Sequence, residues 1–480
     1  MKFEEEWSFL NPYQMTAVLD ESPACVVNAN VGSGKTTVLI AKILYLYQVK
    51  QIQPEEMIVL TFTNKAADEI KERLIAKEKF LKKEKNDEEP KLDGFGTFHS
   101  VALWMLREKL EVEKAGWRKD FTVMAPDEEE DLALTLTAEY GLKIKYKNRL
   151  KKRLEQEYQW YLEGRPIPRY KDDLFKLYPI IESEKKKQNK MTFSDLLRVS
   201  TLLLKGQDAF IPKWIIVDEV QDSDKMQMEF LEALKGRETK LFAVGDPNQV
   251  IYSWRGTGPN MFFLIKHRFG AKELTLPVNY RSDEVILEAA NRFLQFGGKI
   301  EGSGERGEKI LVRNHYDPFI EAEYLTERIR ELHEQGLPYR EIAVFYRVQK
   351  QAEILEKVFE RAELPYVLPT KQKEDEDPVP ERPHMIREYV AEGKLNAVSG
   401  EHTMEKAADT ERQTEEEDAV HLMTLHASKG LEFDYVFIIG MNQGLIPLRC
   451  KSIEQEEEER RLFFVGLTRA RKNLELSYYT

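Results

Sequence analysis

The sequence predicts an α/β protein built on two parallel-sheet domains, the first carrying a helical insertion. Three observations predict it. Apolar runs of strand length alternate with helical stretches between Ala24 and Ser100 and resume at Trp214-Ile215-Ile216-Val217. A second alternation follows Pro277 and ends in Leu474-Glu475-Leu476-Ser477-Tyr478-Tyr479. Between the two halves of the first set, the stretch from Val101 to Met191 has helical character. The expected boundaries are 1–100 and 191–276 for the first sheet domain and 101–190 for the insertion. The second sheet domain is expected at 277–369 and 419–480, with 370–418 as a polar linker.

Bulk properties agree. A chain of 480 residues is too long for one ordinary core, and 42% apolar content excludes wholesale disorder. No apolar run approaches the length of a membrane span, and the acidic start Met1-Lys2-Phe3-Glu4-Glu5-Glu6 lacks a signal-peptide core. Two cysteines, Cys25 and Cys450, make neither a disulfide framework nor a metal site, and Cys25 reads as a buried free thiol. The expectation is a reduced, cytoplasmic enzyme. A net charge of −12 argues against a polycation that coats nucleic acid, but leaves room for a locally basic groove.

In chain order, Asn11 before Pro12 predicts a capped helix start. The strand Ala24-Cys25-Val26-Val27 then runs into Ala29-Asn30-Val31-Gly32-Ser33-Gly34-Lys35-Thr36-Thr37 and a helix from Val38. A glycine-rich turn between strand and helix aims backbone N–H groups at a phosphate chain, aided by the helix dipole. Lys35 would reach the β- and γ-phosphates, and the Thr36 hydroxyl would ligate Mg²⁺. Met57-Ile58-Val59-Leu60-Thr61-Phe62 and Gly94-Phe95-Gly96-Thr97-Phe98-His99-Ser100 are further strand–loop units, separated by a charged excursion at 76–91. The basic run Lys143 to Arg153 reads either as a solvated helix face or as a phosphate-backbone contact.

The strand ending in Asp218-Glu219 supplies what a phosphate loop needs as its second part. Asp218 would hold Mg²⁺, and Glu219 would take the proton from an attacking water. Gln249, after the strand Lys240–Val244, could orient that water or sense the γ-phosphate, and Arg281 and Arg469 could neutralise the transition state from the second domain. Phe62, Phe98, Tyr252 and Trp254 sit in or beside loops, where bases of single-stranded nucleic acid stack or where elements pack together.

Taken together, these loops resemble the superfamily 1A DNA helicases of the UvrD, Rep and PcrA type, whose ordered motifs are matched from Gln14 to Arg469. The resemblance implies two RecA-like domains of the P-loop NTPase class, ATP and Mg²⁺ between them, and single-stranded or tailed duplex DNA as partner. Leu10-Asn11-Pro12-Tyr13-Gln14 resembles the Q motif, with Gln14 on adenine. Ala29 to Thr36 resembles motif I, which implies nucleotide contacts from Gly32, Ser33, Gly34, Lys35, Thr36 and the adjoining Thr37. Thr61 to Ala67 and Gly96 to Ser100 resemble motifs Ia and Ib, which implies DNA contacts by Phe62, Asn64, Thr97, Phe98 and His99. Met191 to Leu196 is similar to a further family segment preceding motif II. Val217 to Ser223 resembles motif II. Val244 to Gly256 resembles motif III, with Gln249 coupling the γ-phosphate to Tyr252, Trp254 and Arg255 on DNA. Asn279-Tyr280-Arg281-Ser282 resembles motif IV, implying Tyr280 on adenine and Arg281 on the γ-phosphate. Thr424 to Phe433 resembles motif V, implying His426 on DNA and Glu432 on the nucleotide. Glu459 to Ala470 resembles motif VI, with Arg469 as the arginine finger.

Some positions depart from the pattern. Asn30 stands for a glycine, Thr37 for a frequent arginine, and the polar segment 370–418 fills the place of the family's large 2B domain. The reading is a DNA-stimulated ATPase that translocates 3′ to 5′ on single-stranded DNA. Compact UvrD-like proteins without 2B are also similar to helicase subunits of Gabija-type phage defence. The alternative is therefore an ATPase sensor that regulates a partner nuclease in defence or repair.

Overall fold

In the computed structural model, the described residues are 3–77, 91–145, 147–150, 153–154, 172–206, 211–251, 261–304, 306–368 and 418–480. Residues 370–417 of the predicted linker 370–418 and most of the excursion 76–91 lie outside them. Six strands form the first sheet: β1 (Ala24–Ala29), β2 (Met57–Thr61), β3 (Phe95–Thr97), β4 (Trp214–Val217), β5 (Lys240–Gly245) and β6 (Lys272–Leu276). Their order is β3-β2-β4-β5-β1-β6, and each neighbouring pair is parallel. Strands buried on both faces read as continuous apolar runs, and the alternation of side chains divides them between two cores. Ile58, Leu60, Ile215 and Val217 enter one; Met57, Val59, Trp214 and Ile216 enter the other.

This order positions the site. β5 lies between β1 and β4, so the loops leaving three adjacent strands emerge side by side at one sheet edge, where parallel α/β sheets bind ligands.

The chain between the two halves of the first sheet contributes to two cores. Residues of the helix Phe98–Glu108, with Trp117, Phe121 and Val123, pack into the core of the first sheet. A separate small core gathers Ala133, Leu136, Leu150, Leu174, Leu177, Tyr178 and Ile181 from the helices Pro126–Glu139 and Leu174–Gln188 and the chain between them. The amphipathic period of Val101, Ala102, Met105 and Leu106 marks a helix but not which core it faces. Of the basic run, Arg153 turns inward: its guanidinium is 2.7 Å from Asp172 and donates to the Lys145 carbonyl.

The second sheet contains β7 (Leu311–His315), β8 (Ile342–Tyr346), β9 (Tyr366–Val367), β10 (Val420–Thr424), β11 (Phe433–Ile438) and β12 (Ala470–Tyr479). It runs β7-β12-β11-β8-β10-β9, again parallel throughout. Its two cores hold Val344, Leu422 and Phe437 on one face and Phe345, Met423 and Val436 on the other. Cys25 is a buried free thiol, pushed up to about 12 by burial. Among the described residues, no helix is long and apolar enough to cross a membrane.

Candidate nucleotide site between the two sheets

The loop after β1 is shaped by two glycines in the left-handed region, Gly32 (φ 65°) and Gly34 (φ 78°). A Cβ on Gly32 would lie 2.6 Å from Asn279 Nδ2 and 2.8 Å from Arg281 Cβ; one on Gly34 would lie 2.9 Å from Gln14 Nε2. Gly34 is also the N-cap of the helix Lys35–Gln48 and brings no side chain to it, which leaves the first helical N–H groups to a phosphate. The Ser33 hydroxyl is buried and has no protein partner.

Neighbouring segments grip this loop from both domains. Gln14 Nε2 donates to the Ser33 carbonyl at 2.9 Å, Asn279 Nδ2 to the Val31 carbonyl at 2.7 Å, and the Tyr280 N–H to the Gly32 carbonyl at 2.9 Å. Val31 itself packs with Leu287, Ala290, Ile300 and Phe464 of the second domain. Asn11 caps the helix Pro12–Leu19 as its sequence predicts, and its Nδ2 donates to the Tyr280 hydroxyl at 2.7 Å. The Q motif and motif IV therefore meet at the mouth of the loop, with Tyr280 exposed there. Gln14 differs from its expected display toward a base. It is buried, its Oε1 accepts from the Asn11 N–H, and one Nε2 hydrogen and one Oε1 lone pair are left for a ligand.

Lys35 Nζ bridges Glu219, at 3.1 Å from Oε1 and 3.2 Å from Oε2. Burial works against the ammonium, but Glu219, Asp246 and Asp218 outweigh it and hold Lys35 above its ordinary value. Burial likewise works against the Glu219 carboxylate, and Lys35 and Lys429 outweigh it, keeping Glu219 ionised. Asp218 goes the other way, raised by burial and then by the adjacent Glu219. Glu219 has a φ of 44°, rare for a residue with a Cβ and a form of backbone strain that clusters at functional sites.

The donor set suits Mg²⁺. Among the described residues no group of three or more His, Cys, Asp or Glu side chains could cage a metal alone, whereas Mg²⁺ in phosphate sites takes one or two protein oxygens and completes its shell with substrate and water. The Thr36 hydroxyl and the Asp218 carboxylate would be those oxygens, and a cation held there would offset the repulsion that raises Asp218.

The second domain supplies the arginines. Arg281 Nε lies 2.6 Å from Glu432 Oε2, so two expected nucleotide residues pair with each other. Arg469 is 2% exposed; Nε donates to the Val465 carbonyl and Nη1 to the Leu431 carbonyl. Burial and the neighbouring Arg281 push it below its ordinary range, partly opposed by Glu219 and Asp246. A guanidinium stays charged when buried, so this corner of the cleft favours an anion.

Comparison with known proteins agrees with this geometry. Residues 10–270 match the profile of the UvrD/REP helicase N-terminal domain, and 274–373 with 382–480 match the UvrD-like helicase C-terminal domain. The chain belongs to the UvrD/Rep helicase family. It is 27% identical to the ATP-dependent DNA helicase Rep of Buchnera aphidicola subsp. Schizaphis graminum, across 98% of this chain and 93% of that protein. Identity to the Rep helicase of Escherichia coli K12 is 26%, covering 97% and 90%. With the ATP-dependent DNA helicase PcrA of Staphylococcus aureus Mu50 it is 23%, covering 98% and 83%. The Buchnera alignment runs over 624 positions against a chain of 480 residues, so that relative carries residues this chain lacks.

Within this family frame, the residues expected on DNA divide. Phe62 in the loop after β2, Asn64 at the start of the helix Asn64–Ala76, His99 in the first turn of the helix Phe98–Glu108 and His426 after β10 are all partly exposed. Phe98 departs from its expected role: its ring is 2% exposed in the first core, so it packs the loop instead of offering a stacking face. Thr97 caps the helix Phe98–Glu108 by accepting from the Ser100 N–H. Burial pushes His99 down to about 4, leaving its imidazole neutral, edge-on to Phe193. Tyr252, Trp254 and Arg255 lie outside the described residues. Thr36 and Thr37 are partly exposed in the first turn after the loop.

Sequence reasoning named Gln249 but missed Gln221 and Lys429 among the residues that join the motifs. Gln221 Nε2 donates to Glu219 at 2.5 Å, and its Oε1 accepts from the Asp246 N–H at 3.0 Å. Gln249 Nε2 donates to Asp246 at 2.7 Å. Lys429 Nζ crosses the cleft to Asp222, 2.7 Å from Oδ1, and to the Gln249 carbonyl at 3.0 Å. All three lie within named motifs, and Lys429 meets partners some 200 positions away, of which spacing carries no record.

Proposed function

We propose that this chain is an ATP-dependent DNA helicase that hydrolyses ATP in the cleft and moves 3′ to 5′ along single-stranded DNA. One observation carries the reading: the phosphate loop, Asp218 and Glu219 meet Arg281 and Arg469 of the second sheet domain across one cleft. Lys35 and the loop N–H groups hold the phosphate chain, while Asn11, Gln14 and Tyr280 frame the base. When bound, Mg²⁺ at Thr36 and Asp218 neutralises charge on the phosphates. Lys35 exchanges its Glu219 partner for phosphate, which frees the carboxylate to accept a proton from water oriented by Gln249. Arg281 and Arg469 stabilise the charge of the transition state. Because the loop is gripped from both domains, closure on ATP and opening after hydrolysis change the distance between DNA contacts on the two sheets.

We also read the chain as a compact form without 2B, a reading supported by the surplus length of the Buchnera alignment and by the break in the C-terminal match between 373 and 382. The matched relatives are helicases by name, which favours a motor over a subunit that gates a nuclease. The test is ATP hydrolysis with and without single-stranded DNA, followed by unwinding of 3′- and 5′-tailed duplexes. Strong stimulation, lost in Lys35→Ala, with unwinding of the 3′-tailed substrate is expected. Hydrolysis indifferent to DNA overturns the motor reading.

A further inference from the structure

Motif III leaves β5 of the first sheet, yet its next residues are seated in the second domain. Asp246 is fully buried and still belongs to the first domain, its N–H donating to Gln221. Beyond Pro247 the allegiance changes. Asn248, 1% exposed, accepts from the N–H groups of Gln295 (3.0 Å) and Phe296 (2.9 Å) and donates from Nδ2 to the Phe296 carbonyl at 2.9 Å. The Gln249 carbonyl takes Lys429. The Val250 carbonyl accepts from Arg461 Nε at 2.7 Å, and the same guanidinium donates from Nη1 to Gln295 Oε1 at 2.9 Å. Ile251, fully buried, sits in the second domain's core with Ile286, Phe345, Met423, Leu425 and Phe463. Four consecutive residues are thus fixed to segments around 295, 429 and 461, and the last is an apolar anchor.

We infer that Asn248 and Arg461 are positioning residues that fasten residues 248–251 of motif III to the second domain, so that nucleotide-driven domain movement is passed to these residues. Neither touches the phosphate loop or the acids of motif II, so both act on coupling and not on the hydrolytic step. Arg461 is suited to this because its planar fork takes a backbone carbonyl and a side-chain amide together. Asn248 is suited because one amide both accepts and donates, locking a short segment in a single register. The inference rests on the helicase reading for its consequence, but its geometry stands apart from it.

The test uses the full chain with Asn248→Ala, Arg461→Met and Arg461→Lys. Unstimulated hydrolysis and KM for ATP are expected within about twofold of the parent, while stimulation by oligothymidylate falls about tenfold in the first two variants. Arg461→Lys, which keeps a cation for the Val250 carbonyl, restores part of it. Amide hydrogen exchange is followed in parallel, and residues 248–251 are expected to exchange faster in the first two variants while β1 stays unchanged. Stimulation matching the parent overturns the inference, as does unchanged exchange at 248–251. A parent protein without DNA stimulation sinks the helicase reading, and the fastening is then decided by the exchange result alone.

Discussion

Gly32 concentrates several demands in one position. Its φ of 65° suits glycine, and the space a Cβ would take is held by Asn279 and Arg281 from the other domain. Gly32→Ala is expected to add about 1–2 kcal/mol of backbone strain and to push motif IV off the loop. Circular dichroism should remain near that of the parent while ATP turnover collapses; unaltered turnover would show that the close approach is dispensable. Glu219→Gln keeps the side-chain shape and removes the base. A loss of about 10²–10⁴ in kcat is expected, with binding of a fluorescent ATP analogue retained. At this scale the sequence marked where a charged residue follows a strand or opens a helix, as at Asp218, Glu219 and Lys35, and the structure brings these three together. The sequence was uninformative about Gln14 and Phe98, whose types permit display or burial and whose exposure is decided by neighbours.

Among the elements, the join between insertion and sheet domain rests on a buried charge cluster. Lys185 Nζ, fully buried, lies 2.8 Å from Asp195 and 2.9 Å from Glu182, and Arg198 reaches both of those acids. Asp195 also closes the capping box with Thr192, fixing the start of the helix Phe193–Lys205. Breaking a buried pair by removing one partner costs about 3–5 kcal/mol, so Lys185→Met should lower stability by about 3 kcal/mol in urea unfolding. Loss of less than about 1 kcal/mol would mean that Arg198 suffices. Burial alone would raise the Asp195 carboxyl, but Lys185 and then Arg198 hold it down at about 2. The sign follows from linkage. The depressed folded value gives stability that is fully present above the ordinary 3.8 and lost as pH falls toward about 2. Asp195→Asn should flatten that part of the acid-denaturation curve. The helices themselves were legible from apolar period and caps, but their partnership across 10 residues of sequence and two cores was not.

For the whole molecule, a nucleotide site between the two sheet domains predicts that occupancy stabilises both. A non-hydrolysable ATP analogue with Mg²⁺ at 100 times its Kd is expected to add about 2.7 kcal/mol and to give one coincident thermal transition by fluorescence and circular dichroism. Lys35→Ala should abolish the shift. Two separated transitions, only one of which responds, would place the site within a single domain.

The sequence by itself determined the fold class, the strand–loop–helix that carries the phosphate loop, and the acids at the end of β4. Each of these is a local pattern in which period, turn chemistry and residue type coincide within a dozen residues. Tertiary structure decided the rest: β5 lies between β1 and β4, Lys429 crosses to Asp222, Glu432 holds Arg281, and Asn248 and Arg461 bind motif III to the far domain. Those contacts join residues tens to hundreds of positions apart, and their energy comes from burial and hydrogen-bond geometry that no single stretch of chain contains.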